Sequence, residues 1–290
     1  MSLSALGLIV LAAFIHATWN LLAKRAAPAG PSFILAFSVV ASLAYLPWVL
    51  TLLLRDGLPD DPALWLCLCL SALLHLVYNL CLQRGYQVAD FTVVYPVARG
   101  TGPLLSSLGA FILLAEQPTL RGIAGLLAIV TGILLISTQG QWSQFGTPRA
   151  LQGVRWGTTT GGVIAGYTVV DAWGVKLIGL QPVVLDWCTN ALRILMLLPW
   201  ALRHHRQARA AMRGHWWRAV AVGLLSPLSY ILVLHALQMG TPLSLAAPMR
   251  ELSMMIAALL GALVLRERVG PWRLAGCLLM VCGVMLLSAH

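Results

Sequence analysis

Two arginines, Arg99 and Arg250, stand 151 residues apart inside long apolar runs, each in a helix expected to be interrupted by prolines, Pro96 and Pro103 around the first and Pro242 and Pro248 around the second. A guanidinium presents a planar fork that suits carboxylate, phosphate or phosphonate in a bidentate mode. Other polar residues recur at i, i+4 spacing, which puts each pair on one helix face. These are His16 and Asn20, His75 and Asn79, Tyr167 and Asp171, and Ser226 and Tyr230. Two readings stand for them: a polar cavity around a ligand, or hydrogen bonds that hold helices together. The arginines divide the same way. Either they surround an anionic or zwitterionic substrate, or Arg250 pairs with Asp171 or Glu251 while Arg99 sits near the headgroups. Asp186, Asn190 and Arg193 form an i, i+4, i+7 stripe. Its end members are too far apart for the usual ion-pair spacing, so each is expected to meet a neighbouring helix in a structural role. Glu116 and Glu267 fall at helix ends, where capping a loop accounts for them.

The elements that position these residues follow from composition. Of 290 residues 59% are apolar and 10% charged, against about 25% charged in soluble domains, and the mean hydropathy is +0.85. A soluble fold could not hide so much apolar surface, so the chain reads as an all-α polytopic membrane protein. Ten segments are long and apolar enough to span a bilayer: 3–22, 32–54, 63–83, 91–114, 121–138, 154–174, 182–202, 216–238, 243–265 and 272–288. Short breakers such as Pro28–Pro31 and Gly179–Pro182 imply antiparallel neighbours. No basic residue precedes the first span, which argues against a cleavable signal peptide.

The net charge of +10 is a topology signal, not a nucleic-acid footprint. Lys24, Arg25, Arg84, Arg149, Arg155, Arg203, Arg206, Arg209, Arg213, Arg218, Arg266, Arg268 and Arg273 fall on one side of the membrane. Arg55, Arg121 and Lys176 fall on the other. The positive-inside rule then places both termini outside the cytoplasm, in a plasma or inner membrane. The basic run 203–218 reads as an ordinary cytoplasmic loop. Trp65, Trp142, Trp156, Trp216, Trp217 and Trp272 flank spans as an aromatic belt. The six cysteines (67, 69, 81, 188, 277, 282) lie in apolar runs, match no zinc or redox spacing, and read as small core residues.

An offset of 151 residues aligns the halves without a gap. Between 85–137 and 236–288, 12 of 53 pairs are identical, and eight of these are not leucine, among them Gln87/Gln238, Arg99/Arg250, Glu116/Glu267, Gly125/Gly276 and Gly132/Gly283. Matched Arg, Glu and Gly at one offset do not arise from leucine-rich composition. Residues 1–139 and 152–290 are therefore two repeats joined by a linker at 140–151. Five spans per repeat force the second to insert upside down, giving a pseudo-two-fold axis in the membrane plane. Such symmetry supplies two equivalent conformations, one open to each side.

The two five-span repeats resemble the drug/metabolite transporter superfamily, specifically its EamA-type carriers. The resemblance rests on 109–116 and 261–267, each ending in an acidic residue, and on the glycine-bearing stretches 122–137 and 275–288 that follow. It implies that the last helices of the two repeats pack together, with Gly125/Gly132 and Gly276/Gly283 at the contact. Small multidrug members of the superfamily place a proton-binding glutamate in the first helix. Here that helix carries His16 and Asn20, so cation/proton exchange of that kind is not implied. Many ten-helix relatives also have cytoplasmic termini, opposite to the charge count here. Gly157/Gly161, Gly162/Gly166 and Ala257/Gly261 are further small-residue pairs that permit close helix approach.

The expected function is secondary transport of a small metabolite by alternating access. The substrate class would be an organic anion or zwitterion, such as an amino acid or a phosphorylated or phosphonate compound. Arg99, Arg250, His16, Asn20, His75, Asn79, Tyr167, Asp171, Tyr230 and Glu251 are the candidate binding residues. Asp171, His16, His75 or Glu251 would carry a coupled proton. The chain has no phosphate-binding Gly-x-x-x-x-Gly-Lys-Ser/Thr loop, so ATP is not used directly, and no cofactor, metal or nucleic-acid partner is expected. An internal pseudo-two-fold needs no second copy, so a monomer in the lipid bilayer is the default. Export of cationic or amphipathic compounds is the alternative, and an intramembrane enzyme or a non-transporting subunit the remaining ones. No nucleophile–base pair supports catalysis.

Overall fold

The computed structural model describes residues 2–89, 91–141, 143, 145, 148–256 and 270–288. Every regular element among them is helical: α1 (Leu3–Lys24), α2 (Pro31–Asp56), α3 (Ala63–Val88), α4 (Phe91–Leu113), α5 (Leu120–Thr138), α6 (Pro148–Lys176), α7 (Pro182–Arg203), α8 (Trp216–Gln238), α9 (Leu243–Arg250) and α10 (Pro271–Ser288), with short helices at Ala27–Ala29 and His205–Ala211. Glu267, Ala257, Gly261 and Trp142 lie outside the described residues, so the expectations placed on them are not addressed.

Among the described residues seven helices are long and apolar enough to cross a membrane: α1, α2, α3, α5, α7, α8 and α10. Three expected spans differ. α4 and α6 are long but more polar, and they pack closely against each other and against α3 and α5, so neither needs an all-round apolar surface. α6 also starts at Pro148, six residues earlier than expected, and shortens the linker. The described part of the 243–265 span is α9, a turn at Glu251 and a helical stretch 252–256. At the turn Glu251 N–H donates to Pro248 O at 3.0 Å, a tighter i→i−3 bond that breaks the helix behind the proline. By contrast α4 runs unbroken through Pro96 and Pro103, which corrects the expectation that both helices are interrupted.

The helix contacts have a simple order. α2 packs on α7, α4 on α9 and α5 on α10; α1 packs on α8, and α3 on α6. Exchanging each helix for the one five places on leaves this pattern unchanged.

Glycines set the closest of these contacts. On α5 and α10 they pair crosswise. A Cβ on Gly125 would lie 2.8 Å from Gly283 O, and one on Gly132 2.7 Å from Gly276 O. A Cβ on Gly157 of α6 would meet Val94 O of α4 at 2.9 Å, and one on Gly161 Ala98 O at 3.1 Å. Gly162 faces open space, so the Gly162/Gly166 pair is not a close approach. Nor do the cysteines share one role: Cys67 and Cys277 are buried, whereas Cys69 and Cys282 are exposed, because an apolar run in a bilayer has a lipid face as well as a packed one.

Candidate functional site

The site is built around the two ends of α9. Its N-terminus has no side-chain cap of its own, since Pro242 stands at the capping position. The cap comes from the other half of the chain. Glu116, in the loop after α4, accepts from Leu243 N–H at 2.6 Å (Oε1), and from Ser244 N–H at 3.0 Å and the Ser244 hydroxyl at 2.8 Å (both Oε2). Lys176 Nζ adds a donor to Oε1 at 2.9 Å. Ala115, at φ +53°, turns the chain into this position. A carboxylate at a helix N-terminus satisfies orphan N–H groups and favours the dipole. Capping was the expected role of Glu116.

Partial burial alone would raise the Glu116 pKa. The Ser244 N–H, the Lys176 ammonium and the Leu243 N–H outweigh it and hold the carboxyl below its ordinary 4.5. A carboxylate depressed in the folded state contributes stability that is fully present above its unfolded value and is lost as pH falls through the folded one. Glu116→Gln should therefore lower stability at pH 7 by about 1–2 kcal/mol. It should also flatten the acid limb of a melting-temperature profile below pH 4.5; an unchanged profile would contradict the cap. A cavity of about 300 Å³ opens beside this carboxylate, lined by Phe111, Gln117, Leu126 and Leu245. With its acid committed to α9, it offers no free charge to a ligand.

At the C-terminal end of α9 lie Arg250 and Glu251, 5% and 1% exposed. Glu251 pairs with Arg99 of α4: Nε lies 2.7 Å from Oε2, and Nη2 donates to Ser253 Oγ at 3.1 Å. The pair is close in distance but poorly aimed, and neither Nε nor Oε2 completes a hydrogen bond. The Arg99 guanidinium also lies over the Tyr95 ring, 5.9 Å from its centroid. Arg99 is 7% exposed, and it is Arg99, not Arg250, that forms the ion pair with Glu251. Adjacent residues on a helix point apart, so Glu251 turns to the arginine of the other half. Arg250 makes no hydrogen bond or ion pair among the described residues, and its buried Nε has no partner. Tyr167, Glu251, Tyr230 and Arg99 lie within electrostatic reach of it.

Beside Arg250, three helices bring together a second cluster. His75 (α3) sets Nε2 3.0 Å from Asp171 Oδ2 (α6), and the Tyr230 hydroxyl (α8) donates to the same oxygen. Asp171 is fully buried, and its Oδ1 has no partner. Tyr167 stacks on His75 with ring centroids 4.0 Å apart, and Tyr78 and Tyr230 meet Tyr167 edge-on at 5.7 and 6.4 Å.

The polar stripes thus converge only in part. His75, Tyr167, Asp171 and Tyr230 meet. Asn20 and Asn79 return their amide N–H groups to the carbonyls of His16 and His75, at 2.9 and 2.7 Å. His16 packs edge-on against Trp19 and lies within electrostatic reach of Arg99 and Arg250. On α7, Asp186 and Arg193 are tied to each other and also lie within electrostatic reach of Asp171 on α6. Asn190 links them, donating to Asp186 Oδ2 at 3.0 Å and accepting from Arg193 Nη1 at 3.4 Å. Tyr78, Tyr95 and Ser253 escaped the sequence reading. Tyr78 could have been found at i+3 from His75, the spacing of a shared face.

A family model described as "EamA-like transporter family" matches residues 3–138 and again 153–289. A search of curated proteins gives no match. Among solved structures, one described as "Crystal structure of protein" is 17% identical, with a TM-score of 0.74 over 99% of this chain and 97% of that one; at that identity the likeness is one of fold.

Proposed function

The chain belongs to the EamA-like transporter family, and from that premise we propose a secondary carrier that moves a small anionic or zwitterionic metabolite by alternating access. Arg250 carries the reading. A guanidinium buried without a counter-ion is costly in the bilayer. Its neighbours Tyr167 and Tyr230 leave it available to a carboxylate, phosphate or phosphonate. Arg99 is committed to Glu251 and shapes the site electrostatically.

Five helix pairings that map onto themselves when the halves are exchanged support an inverted repeat of 1–139 and 152–290 about a midplane site. α9, broken beside its arginine, supplies the discontinuous helix such sites use. The excess of basic residues on one side places both termini outside the cytoplasm, in a plasma or inner membrane. A monomer suffices. Membership of a transporter family favours transport over catalysis.

A second reading has its own observation. Tyr78, Tyr167 and Tyr230 gather beside a buried carboxylate, Asp171, and aromatic rings with a carboxylate suit a cation, which would make the chain an exporter of cationic or amphipathic compounds. A thermal-shift screen of detergent-purified protein against small anions, zwitterions and organic cations separates the two, because a ligand stabilises the state that binds it. Anions or zwitterions should stabilise the wild type, and the shift should vanish in Arg250→Ala. Stabilisation by cations alone would overturn the anion reading and move the site to Asp171.

A further inference from the structure

We propose that His75, Asp171 and Tyr230 form a one-proton site coupled to the anion at Arg250, so that a proton and an anionic charge enter the buried core together. The anion half rests on the reading above.

Charge balance is the first argument. Among the described residues the buried charged side chains are Arg99, Arg193 and Arg250 against Asp171, Asp186 and Glu251. With neutral histidines the empty core is balanced. A monoanion on Arg250 leaves it one charge negative in a medium that penalises unpaired charge, and a proton restores the balance.

Its destination follows from how the three carboxylates are compensated. Glu251 has Arg99 at 2.7 Å. Asp186 has Asn190, which in turn holds Arg193. Asp171 has an imidazole and a phenol on Oδ2, a bare Oδ1, and Arg193 within electrostatic reach only. Of the three it is the one that meets an imidazole, a group that can take up and pass on a proton. The groups facing the triad are Cys67 and Tyr78 from α3, Tyr167 from α6, Asp186 and Arg193 from α7, and Arg250 from α9. Of these only Arg250 gains or loses its charge partner during a transport cycle.

The His75 side chain is 13% exposed and that of Asp171 is not exposed at all, so the proton reaches the carboxylate through the imidazole. It comes from water on the side to which the site is open, adds to His75 Nδ1 while the Nε2 proton passes to Asp171 Oδ2, and returns to water with the anion on the other side. Nothing is oxidised or reduced. Linkage makes the coupling reciprocal. The affinity for a non-titrating anion rises about tenfold per pH unit of acidification between the proton affinities of the empty and loaded triad, and is flat outside that window.

The test uses full-length protein reconstituted in lipid. The infrared bands of protonated carboxyl and imidazolium are titrated from pH 5 to 9, with and without methanesulfonate or sulfate, in wild type, Asp171→Asn, His75→Gln and Arg250→Gln. One titration step should be lost in Asp171→Asn and displaced in His75→Gln. Its midpoint should rise by about one unit with anion in the wild type and stay fixed in Arg250→Gln. A step that survives Asp171→Asn, or either variant alone if the other does not fold, overturns the proton site. A step whose midpoint ignores a bound anion overturns the coupling. If neither anion stabilises wild-type protein, the anion reading fails and the coupling with it, while the Asp171→Asn titration still decides the proton site.

Discussion

Arg99→Leu should cost the fold about 3–5 kcal/mol, the range for removing one partner of a buried ion pair. The loss is not the attraction itself. Glu251, 1% exposed, would keep its charge with no partner at 2.7 Å, and Ser253 would lose its donor. Arg250 is next in sequence and within electrostatic reach, which places the cost at the lower end. Removing both charges tests the cause. Arg99→Leu with Glu251→Leu should recover most of the loss, because an apolar pair of similar volume leaves nothing unpaired. Thermal unfolding of the purified variants reads this directly. A single variant within 1 kcal/mol of wild type, or a double variant worse than the single, would contradict it.

The second large effect is at the α5–α10 contact. Gly132→Ala and Gly276→Ala should each destabilise by about 1–3 kcal/mol. A Cβ on either lands 2.7 Å from the other's carbonyl oxygen, a backbone atom that no rotamer change can move aside, and further backbone nitrogens lie at 3.2 and 3.0 Å. The helices would have to part along the whole contact, which repeats seven residues on at Gly125 and Gly283. Gly7 is the control. It sits in a helix with nothing within 4 Å of a Cβ, so Gly7→Ala should be neutral or slightly stabilising on helix propensity alone. Equal melting temperatures for Gly132→Ala and Gly7→Ala would refute the close contact.

The fold was legible where periodicity and matched residues carry it. The 151-residue offset paired Gly125 with Gly276 and Gly132 with Gly283, and the contact joins the same four glycines crosswise. The capping role of Glu116 was also legible from its place at a helix end. Its partner was not, because α9 lies more than a hundred residues away and nothing local marks the pairing. The same limit applies to Arg99. Sequence offers Arg250 as the neighbour of Glu251, yet consecutive residues diverge and the pairing with the other half of the chain wins. Spacing put Asn20 and Asn79 one turn from His16 and His75. A short amide in an apolar helix can satisfy itself on the carbonyl four residues back, and spacing cannot report that choice. α4 and α6 fall short of the uniform apolarity of the other spans for the related reason that they shelter polar surface against each other.

The central claim is that an anionic group is carried across the membrane on the charge of Arg250. Its most direct test is uptake and exchange of the most stabilising compound from the screen, in proteoliposomes holding wild type, Arg250→Lys or Arg250→Gln of equal folded content. Wild type should accumulate and exchange the compound. Arg250→Lys should retain a reduced rate, since it keeps the charge without the fork, and Arg250→Gln should lose transport by at least a hundredfold, about 2.7 kcal/mol in transition-state terms. Arg250→Gln moving the anion at the wild-type rate would contradict the account.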